Sequence, residues 1–524
     1  VTEVTSHEMC LDYCYRLNAP ACYEDAMKSH EKQRWCEAMQ AEMKTLDEHN
    51  TFNVCKLPKG KHAIPGKWVY AIKTDANGEN HFKARYVAKG CVQRHDSDYD
   101  ETFAPTAKMS TVRMLMQTCV DEKLHVHQMD VKSAYLNAPI DNEIFVREPE
   151  GFKTADENVW RLNKSLYGLK QSGRNWNQTL HNSLVENDFA QSQTDSCLYI
   201  RHRGQKKVII LIWVDDLIIA TTDLKSLSET KALLSSKFKM KDMGVLSWFL
   251  GIRFLINENR TQIEMNQTSF IEKVLEKFGM TNCKPKAVPC DPSVKDLKES
   301  DSAVMDDPAL YRKIVGSLIY IMTGTRPDIS YCVTLLSQFL KQPLEAHLTA
   351  AKHVLRYLKG SLDHKLTFVH SQSERLFGFC DADWGALPER RSVTGYCFKM
   401  NQHSSYVSWK SKKQQSVALS TCEAEYMGIS AAVQEAKFLR KLHEDLKGPV
   451  HVELFVDNQS AMALTRNPVQ HARSKHIDIR YHFVRCEIES GWISLVFVPS
   501  EGNVADVLTK PVSKNSLRRI IVLD

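Results

Sequence analysis

Two adjacent aspartates, Asp215 and Asp216, interrupt the apolar stretch LIWVDDLIIA that runs from Leu211 to Ala220. The residues from Val208 to Val214 are all apolar, and so are those from Leu217 to Ala220. Two carboxylates beside a buried sheet repel each other and lose solvation, so they stay ionised only where something cationic compensates. A divalent cation such as Mg2+ does this with carboxylate oxygens as ligands. Asp130, in the segment VHQMDVKSAYLNAPI, supplies a third carboxylate. Three carboxylates offset most of the charge of two divalent ions. That is the arrangement of two-metal phosphoryl transfer, in which the ions sit roughly 3.5–4 Å apart and steady the attacking and leaving oxygens. Tyr135 follows in the same segment, where an aromatic ring could lie beneath an incoming sugar; a core tyrosine on a buried strand fits the composition equally well.

A second acidic set lies later in the chain. Asp381 and Asp457 sit in apolar strand contexts, Glu425 opens a helical pattern, and Asp506 begins what reads as the last helix. Any one of these alone is more often a cap or a surface charge. Four acids at strand and helix ends of one small α/β domain imply another two-metal site. Asp306 and Asp307 are the contrast: Pro308 follows them, and the pair reads as a loop before a helix.

The elements that would carry these residues are legible as patterns. The apolar runs around Asp215 read as strand, tight turn, strand, both strands largely buried. The segment Val126 to Ile140 reads as a strand carrying Asp130 and ending near Asn137-Ala138-Pro139. Trp35, Met39, Met43 and Leu46 recur at helical spacing, and two apolar-rich strands flank Asn77-Gly78, a strong hairpin signal. From Lys56 to Arg94 there are nine Lys and Arg against Asp75 and Glu79, a local basic concentration that fits either an anionic partner or a solvated surface. FIEKVLEKFGM reads as a helix closing at Gly279, residues 282–301 as a linker, and EAHLTAAKHVLRYLKG as a helix capped by Gly360. From about residue 374 the pattern becomes three antiparallel strands, then helices alternating with parallel strands, and NVADVLTK reads as a final helix.

The bulk properties fit such a chain. Its 524 residues suggest two to four domains, and 43% hydrophobic with 25% charged residues is ordinary for a globular protein. A net charge of +6 permits an anionic partner. No run of apolar residues is long enough for a membrane span, and no signal pattern opens the sequence. The fifteen cysteines are scattered without a CxxC pair, so neither a zinc ribbon nor a knuckle is supported, and they read as reduced thiols in a cytosolic protein. The first residue is Val1, as expected of a fragment or of a product cut from a larger precursor.

Several long segments together carry a family resemblance: KARYVAKGCVQRHDSDYDETFAPTAKMSTVR, QMDVKSAYLNAPI, LNKSLYGLKQSGRNWN, WVDDLIIA, DADWGALPERRSVTGY, LSTCEAEYM, VDNQSAMALTRNPVQHARSKHIDIRYHFVR and VADVLTKP. In this order the chain, from about residue 32 to its end, resembles the reverse transcriptase and ribonuclease H region of a copia-type LTR retrotransposon Pol polyprotein. The resemblance implies an α+β right-hand polymerase with fingers, palm and thumb, followed by an α/β ribonuclease H-like domain. The implied organisation is an N-terminal extension (1–31), a reverse transcriptase (32–300), a connection (301–373), ribonuclease H (374–515) and a tail (516–524). Within the reverse transcriptase it places fingers at 32–115, palm at 116–245 and thumb at 246–300.

The resemblance also implies roles. Asp130, Asp215 and Asp216, assisted by the backbone carbonyl of Val131, are expected as polymerase metal ligands, and Tyr135 as the gate that excludes a 2′-hydroxyl. Lys83 and Arg85 fall where cations of the fingers hold the triphosphate, and Gln171 where a residue contacts the incoming nucleotide. Asp381, Glu425, Asp457 and Asp506 correspond to the ribonuclease H carboxylates. Glu425 is preferred to Glu423 because EYMGI follows the family's helix pattern, and residues i and i+2 do not share a helix face. Trp213 stands where the family usually has tyrosine; it keeps the aromatic bulk without the hydroxyl, and activity is expected to survive. The implied cofactor is Mg2+, two ions per site, with Mn2+ as a substitute. The implied partners are an RNA template, a DNA or tRNA primer, RNA–DNA hybrid, deoxynucleoside triphosphates and other Pol products, with no membrane. The expected location is the cytoplasm, including virus-like particles. The rival expectation is a catalytically inactive or host co-opted nucleic-acid-binding fragment; the presence of all seven carboxylates argues against it.

Overall fold

The computed structural model describes residues 19–74, 79–372, 375–385, 387, 389–466 and 478–521. The chain divides into two compact units. The first takes the described residues up to Ala107 with His127–Gln191 and Ser196–Val245; the second takes Lys108–Val126, Ser192–Asp195 and the chain from Leu246 onward.

In the first unit, helix α1 (Lys32–Glu48) buries Trp35, Met39 and Leu46, the stripe expected from their spacing. Strands β1 (Phe52–Lys56) and β2 (Ala63–Ile64) are followed by β3 (Gly66–Thr74) and β4 (Asn80–Ala88). The last two pair antiparallel from Gly66↔Ala88 to Thr74↔Asn80. This is the anticipated hairpin, whose Asn77-Gly78 turn lies outside the described residues. After β5 (His125–Val131) come β6 (Phe145–Arg147) and β7 (Asn158–Leu162), which join β1 and β2 in a four-stranded sheet of order β1-β7-β6-β2.

Helix α2 (Ser172–Val185), strands β8 (Ala190–Gln191), β9 (Leu198–Arg203), β10 (Lys206–Trp213) and β11 (Asp216–Thr221), helix α3 (Leu224–Lys237) and strand β12 (Met240–Val245) complete the unit. Its six-stranded sheet has the order β12-β5-β11-β10-β9-β8. One face of that sheet, including Met129, Val131, Ile210, Ile212, Leu217 and Ile219, packs with Trp176, Leu180 and Leu184 of α2 and Leu227 and Leu234 of α3.

The strand that carries Asp130 is shorter than the sequence pattern indicated. It ends at Val131, because Ser133 takes a left-handed backbone (φ 53°) and turns the chain into a 3-10 helix, Ala134–Asn137. Tyr135 therefore stands on that helical turn and not on the strand.

In the second unit, β13 (Trp248–Phe249), β14 (Ile252–Ile256), β15 (Gln262–Asn266) and β16 (Leu366–Val369) form an antiparallel sheet in that order. Helix α4 (Thr268–Lys277) ends just before Gly279, whose φ of +65° suits a residue without a Cβ. Helices α5 (Ala309–Gly324), α6 (Ser330–Leu336) and α7 (Glu345–Lys359) follow. The loop through Asp306-Asp307-Pro308 precedes α5 as expected, and Gly360 caps α7 with an ordinary negative φ of −81°. Two readings of this region need correction. The expected linker contains a 3-10 helix, Pro292–Glu299. Cys290 within it is bonded to Cys332, so not every cysteine is a free thiol. Their separation of 42 residues hid the pair; folding brings their Cα atoms to 6.3 Å, within disulfide range.

The remaining sheet holds β17 (Leu376–Asp383), β18 (Val393–Lys399), β19 (Ser408–Lys413), β20 (Val452–Val456) and β21 (Ile493–Phe497), in the order β19-β18-β17-β20-β21. The first three pair antiparallel, while β20 is parallel to both β17 and β21. Helix α8 (Thr421–Leu446) packs on β17 and β18, and α9 (Gln459–Arg466) and α10 (Asp478–Glu489) pack on α8. The expected final helix is instead a 3-10 helix, Val504–Leu508, with Asp506 at its centre, and the short helix Lys514–Leu517 lies beyond it. Asn503 caps it, its side chain accepting from the Ala505 amide and donating to the Cys380 carbonyl. Among the described residues no helix is long and apolar enough to cross a membrane.

Candidate active sites

The Asp215 turn is a two-residue connection. Trp213 pairs with Asp216, leaving Val214 and Asp215 between β10 and β11. Val214 has a φ of 55°, a left-handed backbone that a β-branched residue rarely adopts and that costs about 1–3 kcal/mol. Two hydrogen bonds hold it. The Trp176 indole donates to the Val214 carbonyl at 2.6 Å, and the Val131 amide donates to the Asp215 carbonyl at 2.8 Å. The second bond ties the turn directly to the end of the strand bearing Asp130.

Alternation does the rest. Met129, Val131, Leu217 and Ile219 face the helices, so Gln128, Asp130 and Asp216 present the opposite face. Gln128 Nε2 donates to Asp216 Oδ1 at 3.0 Å on that face. All three aspartates are half-buried. They share one end of the sheet but do not close into a tight cluster: among the described residues, the group of three with ligand atoms within 4.8 Å of one another is Asp381, Glu425 and Asp457.

Around the turn stand other expected residues. Lys83 and Arg85 are exposed on the same side of β4, where Glu42 of α1 lies half-buried. Burial pushes the Glu42 carboxyl up to about 7, against the pull of Arg85, the Tyr86 amide and Lys83. The Tyr135 ring leans on Tyr167 with centroids 4.6 Å apart, and the Arg85 guanidinium lies over the Tyr167 ring, 4.7 Å from its centre. Gln171 goes elsewhere. It is 3% exposed, donates to the Asp98 carbonyl at 2.7 Å and accepts from Gln93 at 3.0 Å, a buried link at the start of α2.

Tyr167 was missed in the sequence, although it lies within LNKSLYGLKQSGRNWN. The available signal was the glycine after it. Gly168 has a φ of +92°, and a Cβ there would meet the Ala88 carbonyl oxygen at 2.1 Å. Only glycine lets this loop close on the end of β4, where the Tyr167 carbonyl accepts from the Ala88 amide at 2.8 Å.

The second site is set by strand register. β17 and β20 run parallel with Cys380 opposite Val456, so the next residues, Asp381 and Asp457, lie side by side at the strand ends. Glu425, in the second turn of α8, reaches the same point, and the three carboxylates close to within 4.8 Å. Asp381 and Glu425 are buried. Burial pushes the Glu425 carboxyl up to about 9, reinforced by Asp381 and Asp457, and its Oε2 is buried without a hydrogen-bond partner among the described residues. Burial also raises Asp381 to about 7; the Thr509 hydroxyl, which donates to it, works the other way, and Asp506 adds to the rise. Asp506 stands close by, paired with Lys510 at 2.8 Å, and outside the cluster of three. Glu423 points elsewhere and accepts from the Leu419 amide at 2.8 Å at the start of α8.

These geometries can be set beside known proteins. Residues 49–292 match the family model described as reverse transcriptase (RNA-dependent DNA polymerase). The retrovirus-related Pol polyprotein from transposon TNT 1-94 of Nicotiana tabacum is 36% identical over 509 residues, 95% of this chain and 38% of that protein. The corresponding polyprotein from transposon RE1 of Arabidopsis thaliana is 36% identical over 94% of this chain and 34% of its own length. A putative transposon Ty5-1 protein of Saccharomyces cerevisiae is 34% identical over 310 residues, 59% of this chain and the whole of that protein. This chain belongs to the transposon reverse-transcriptase family. The copia-type resemblance read from the motifs is thereby shown. The chain spans little more than a third of the length of the plant polyproteins. Among solved structures, two of the foamy viral protease-reverse transcriptase with double-stranded DNA share the fold at 12% identity. One has a TM-score of 0.52 over 89% of this chain and 70% of that one, the other 0.50 over 89% and 83%. The expected fold class, a polymerase followed by a ribonuclease H-like domain, holds for this chain.

Proposed function

We propose that this chain is an RNA-directed DNA polymerase with a fused nuclease for RNA in RNA–DNA hybrid. What carries the reading is that each of its two units builds its own acidic centre: Asp130, Asp215 and Asp216 around a strained turn in one, Asp381, Glu425 and Asp457 at parallel strand ends in the other. The partly matched relatives and the family model support the polymerase half.

In the polymerase site, Asp130, Asp215, Asp216 and the Val131 carbonyl would hold divalent cations, Mg2+ or Mn2+. In the nuclease site Asp381, Glu425 and Asp457 would do so, with Asp506 beside them. The nuclease set fits a cation well, since an unpartnered buried Glu425 oxygen and three crowded carboxylates need positive charge. Bound there, such ions would activate the attacking oxygen and steady the leaving one. The chain's own part is positional. The hydrogen-bonded turn fixes Asp215 relative to Asp130, and the Tyr135 ring screens the sugar of an incoming deoxynucleotide. Lys83 and Arg85 offer positive charge to its triphosphate. An RNA template, a primer and the resulting hybrid are the proposed nucleic-acid partners; the foamy viral proteins that share the fold were solved with double-stranded DNA.

Primer extension on a homopolymer RNA template, beside cleavage of a labelled preformed hybrid, tests the reading. Synthesis and cleavage by the same preparation are expected. Folded protein that binds primer–template and does neither would mark the chain as a non-catalytic remnant.

A further inference from the structure

The Tyr167 hydroxyl is out of contact with solvent and, among the described residues, has no hydrogen-bond partner. Leaving such a group unpaired costs about 1–3 kcal/mol, so its placement calls for an account. The ring that carries it is tightly placed. Gly168 holds the loop against β4, Tyr135 lies against the ring at 4.6 Å, and the Arg85 guanidinium sits 4.7 Å from its centre. Tyr167 thus touches both a side chain assigned to the sugar and one assigned to the triphosphate. Burial is the main effect opposing its ionisation; Arg85 works the other way, and the carboxylates of Asp215, Glu42 and Asp130 add to burial. The hydroxyl therefore keeps its proton and is a donor.

We infer that Tyr167 is a further nucleotide-binding residue, its ring against Arg85 and Tyr135 and its hydroxyl, covered in the nucleotide-free chain, donating to an oxygen of the incoming deoxynucleoside triphosphate once those two side chains turn to the substrate. The inference rests on the reading that Tyr135 faces the nucleotide sugar. It differs from the expectation that Gln171 makes the nucleotide contact from this segment, since the Gln171 amide is already committed to Asp98 and Gln93.

The test is single-nucleotide extension of oligo(dT) on poly(rA) with dTTP, using the full chain. Tyr167→Phe keeps the ring and removes the donor. KM for dTTP is expected to rise roughly three- to tenfold, the worth of one neutral hydrogen bond, with kcat within about twofold. Its melting temperature should equal or exceed the parent's, because among the described residues the hydroxyl removed is buried and unpaired, and primer–template affinity should match. Tyr167→Leu removes the ring as well and is expected to weaken discrimination between dTTP and UTP, which Tyr167→Phe preserves. An unchanged KM in Tyr167→Phe overturns the inference. So does a KM rise matched by a fall in melting temperature or primer–template affinity, which marks a structural hydroxyl. Tyr135→Val in parallel separates the two failures. If it alters the dTTP/UTP ratio while both Tyr167 variants behave as the parent, only this inference falls. If it leaves the ratio unchanged, the underlying reading of Tyr135 falls too.

Discussion

At the Val214-Asp215 turn the carboxylates are half-buried and distributed over a turn and two strands, with one of them, Asp216, bonded to Gln128. At the ends of β17 and β20 the carboxylates of Asp381, Glu425 and Asp457 converge to within 4.8 Å, two of them buried. The first arrangement stores its cost in the backbone, as a valine held at positive φ by two hydrogen bonds. The second stores it in electrostatics, as like charges crowded where water is scarce. A backbone device fixes positions whatever the protonation state, whereas an electrostatic one must be relieved by protons or by metal ions. The two centres should therefore respond differently to mutation, pH and metal.

The sharpest break is between the activities themselves. Asp215→Asn should lower DNA synthesis by at least about a hundredfold, since a lost metal ligand forfeits several kcal/mol of charge stabilisation, and leave cleavage of a preformed hybrid largely intact. Asp457→Asn should do the reverse. Paired extension and cleavage assays check this; loss of both activities from either single change in folded protein would refute two independent centres.

A smaller effect is expected at Tyr135. Its 3-10 turn places the ring against Tyr167, beside the Asp215 turn's neighbours. If the ring meets the 2′-carbon of the sugar, Tyr135→Val makes room for a hydroxyl there. Ribonucleotide incorporation relative to deoxynucleotide should rise about tenfold, comparable to opening a pocket by a small group. A packing role alone would lower melting temperature and slow both nucleotides equally.

How far these sites could be read in the sequence depended on the range of the forces involved. The β10–turn–β11 unit was legible because apolar runs and a polar break are local, and the β17–β19 strands and the alternation after them were legible for the same reason. Helix geometry within one element implied that only one of Glu423 and Glu425 could face the site, and the resemblance of EYMGI to the family's helix pattern favoured Glu425. What stayed hidden was set by contacts distant in sequence. The exception was local: Ser133 ended the strand of Asp130 early through a left-handed turn that its residue type does not announce. Gln171 was drawn into a buried network with Gln93 and Asp98, and Cys290 met Cys332 only in the folded chain. Tyr167 was hidden because its importance lies in what surrounds its hydroxyl.

The electrostatic centre gives a pH signature of its own. Asp381 is raised to about 7 and Glu425 to about 9, while in the unfolded chain both titrate near pH 4. Between roughly pH 4 and those values the metal-free folded state binds more protons than the unfolded one, so stability falls as pH rises through this window. Thermal melts in chelator should show the decline from pH 5 to 9. Mg2+ at pH 8 should reverse part of it, and Glu425→Gln should flatten it, isolating this site from other titrating groups. A Glu425→Gln melt profile parallel to the parent's would contradict the assignment of the crowded charge.

The smallest expected effect separates the two neighbouring glutamates. Glu423 accepts the Leu419 amide, and its own amide donates to the Ser420 side chain, so the pair closes the start of α8 much as a capping box does. Glu425, two residues on, turns to the other side and joins Asp381 and Asp457. Glu423→Ala should therefore cost only about 0.5–2 kcal/mol of stability, the usual worth of an N-terminal cap, with hybrid cleavage preserved below the melting transition. Glu425→Gln should abolish cleavage and, by removing one of three crowded charges, stabilise the metal-free protein at pH 9. Both variants keep α8 in place, so a comparison of cleavage rates with melting temperatures distinguishes a cap from a ligand. If Glu423→Ala lost cleavage while Glu425→Gln retained it, the face of α8 that serves the site would be the opposite one, and the three-carboxylate cluster would be a burial accident with no catalytic use.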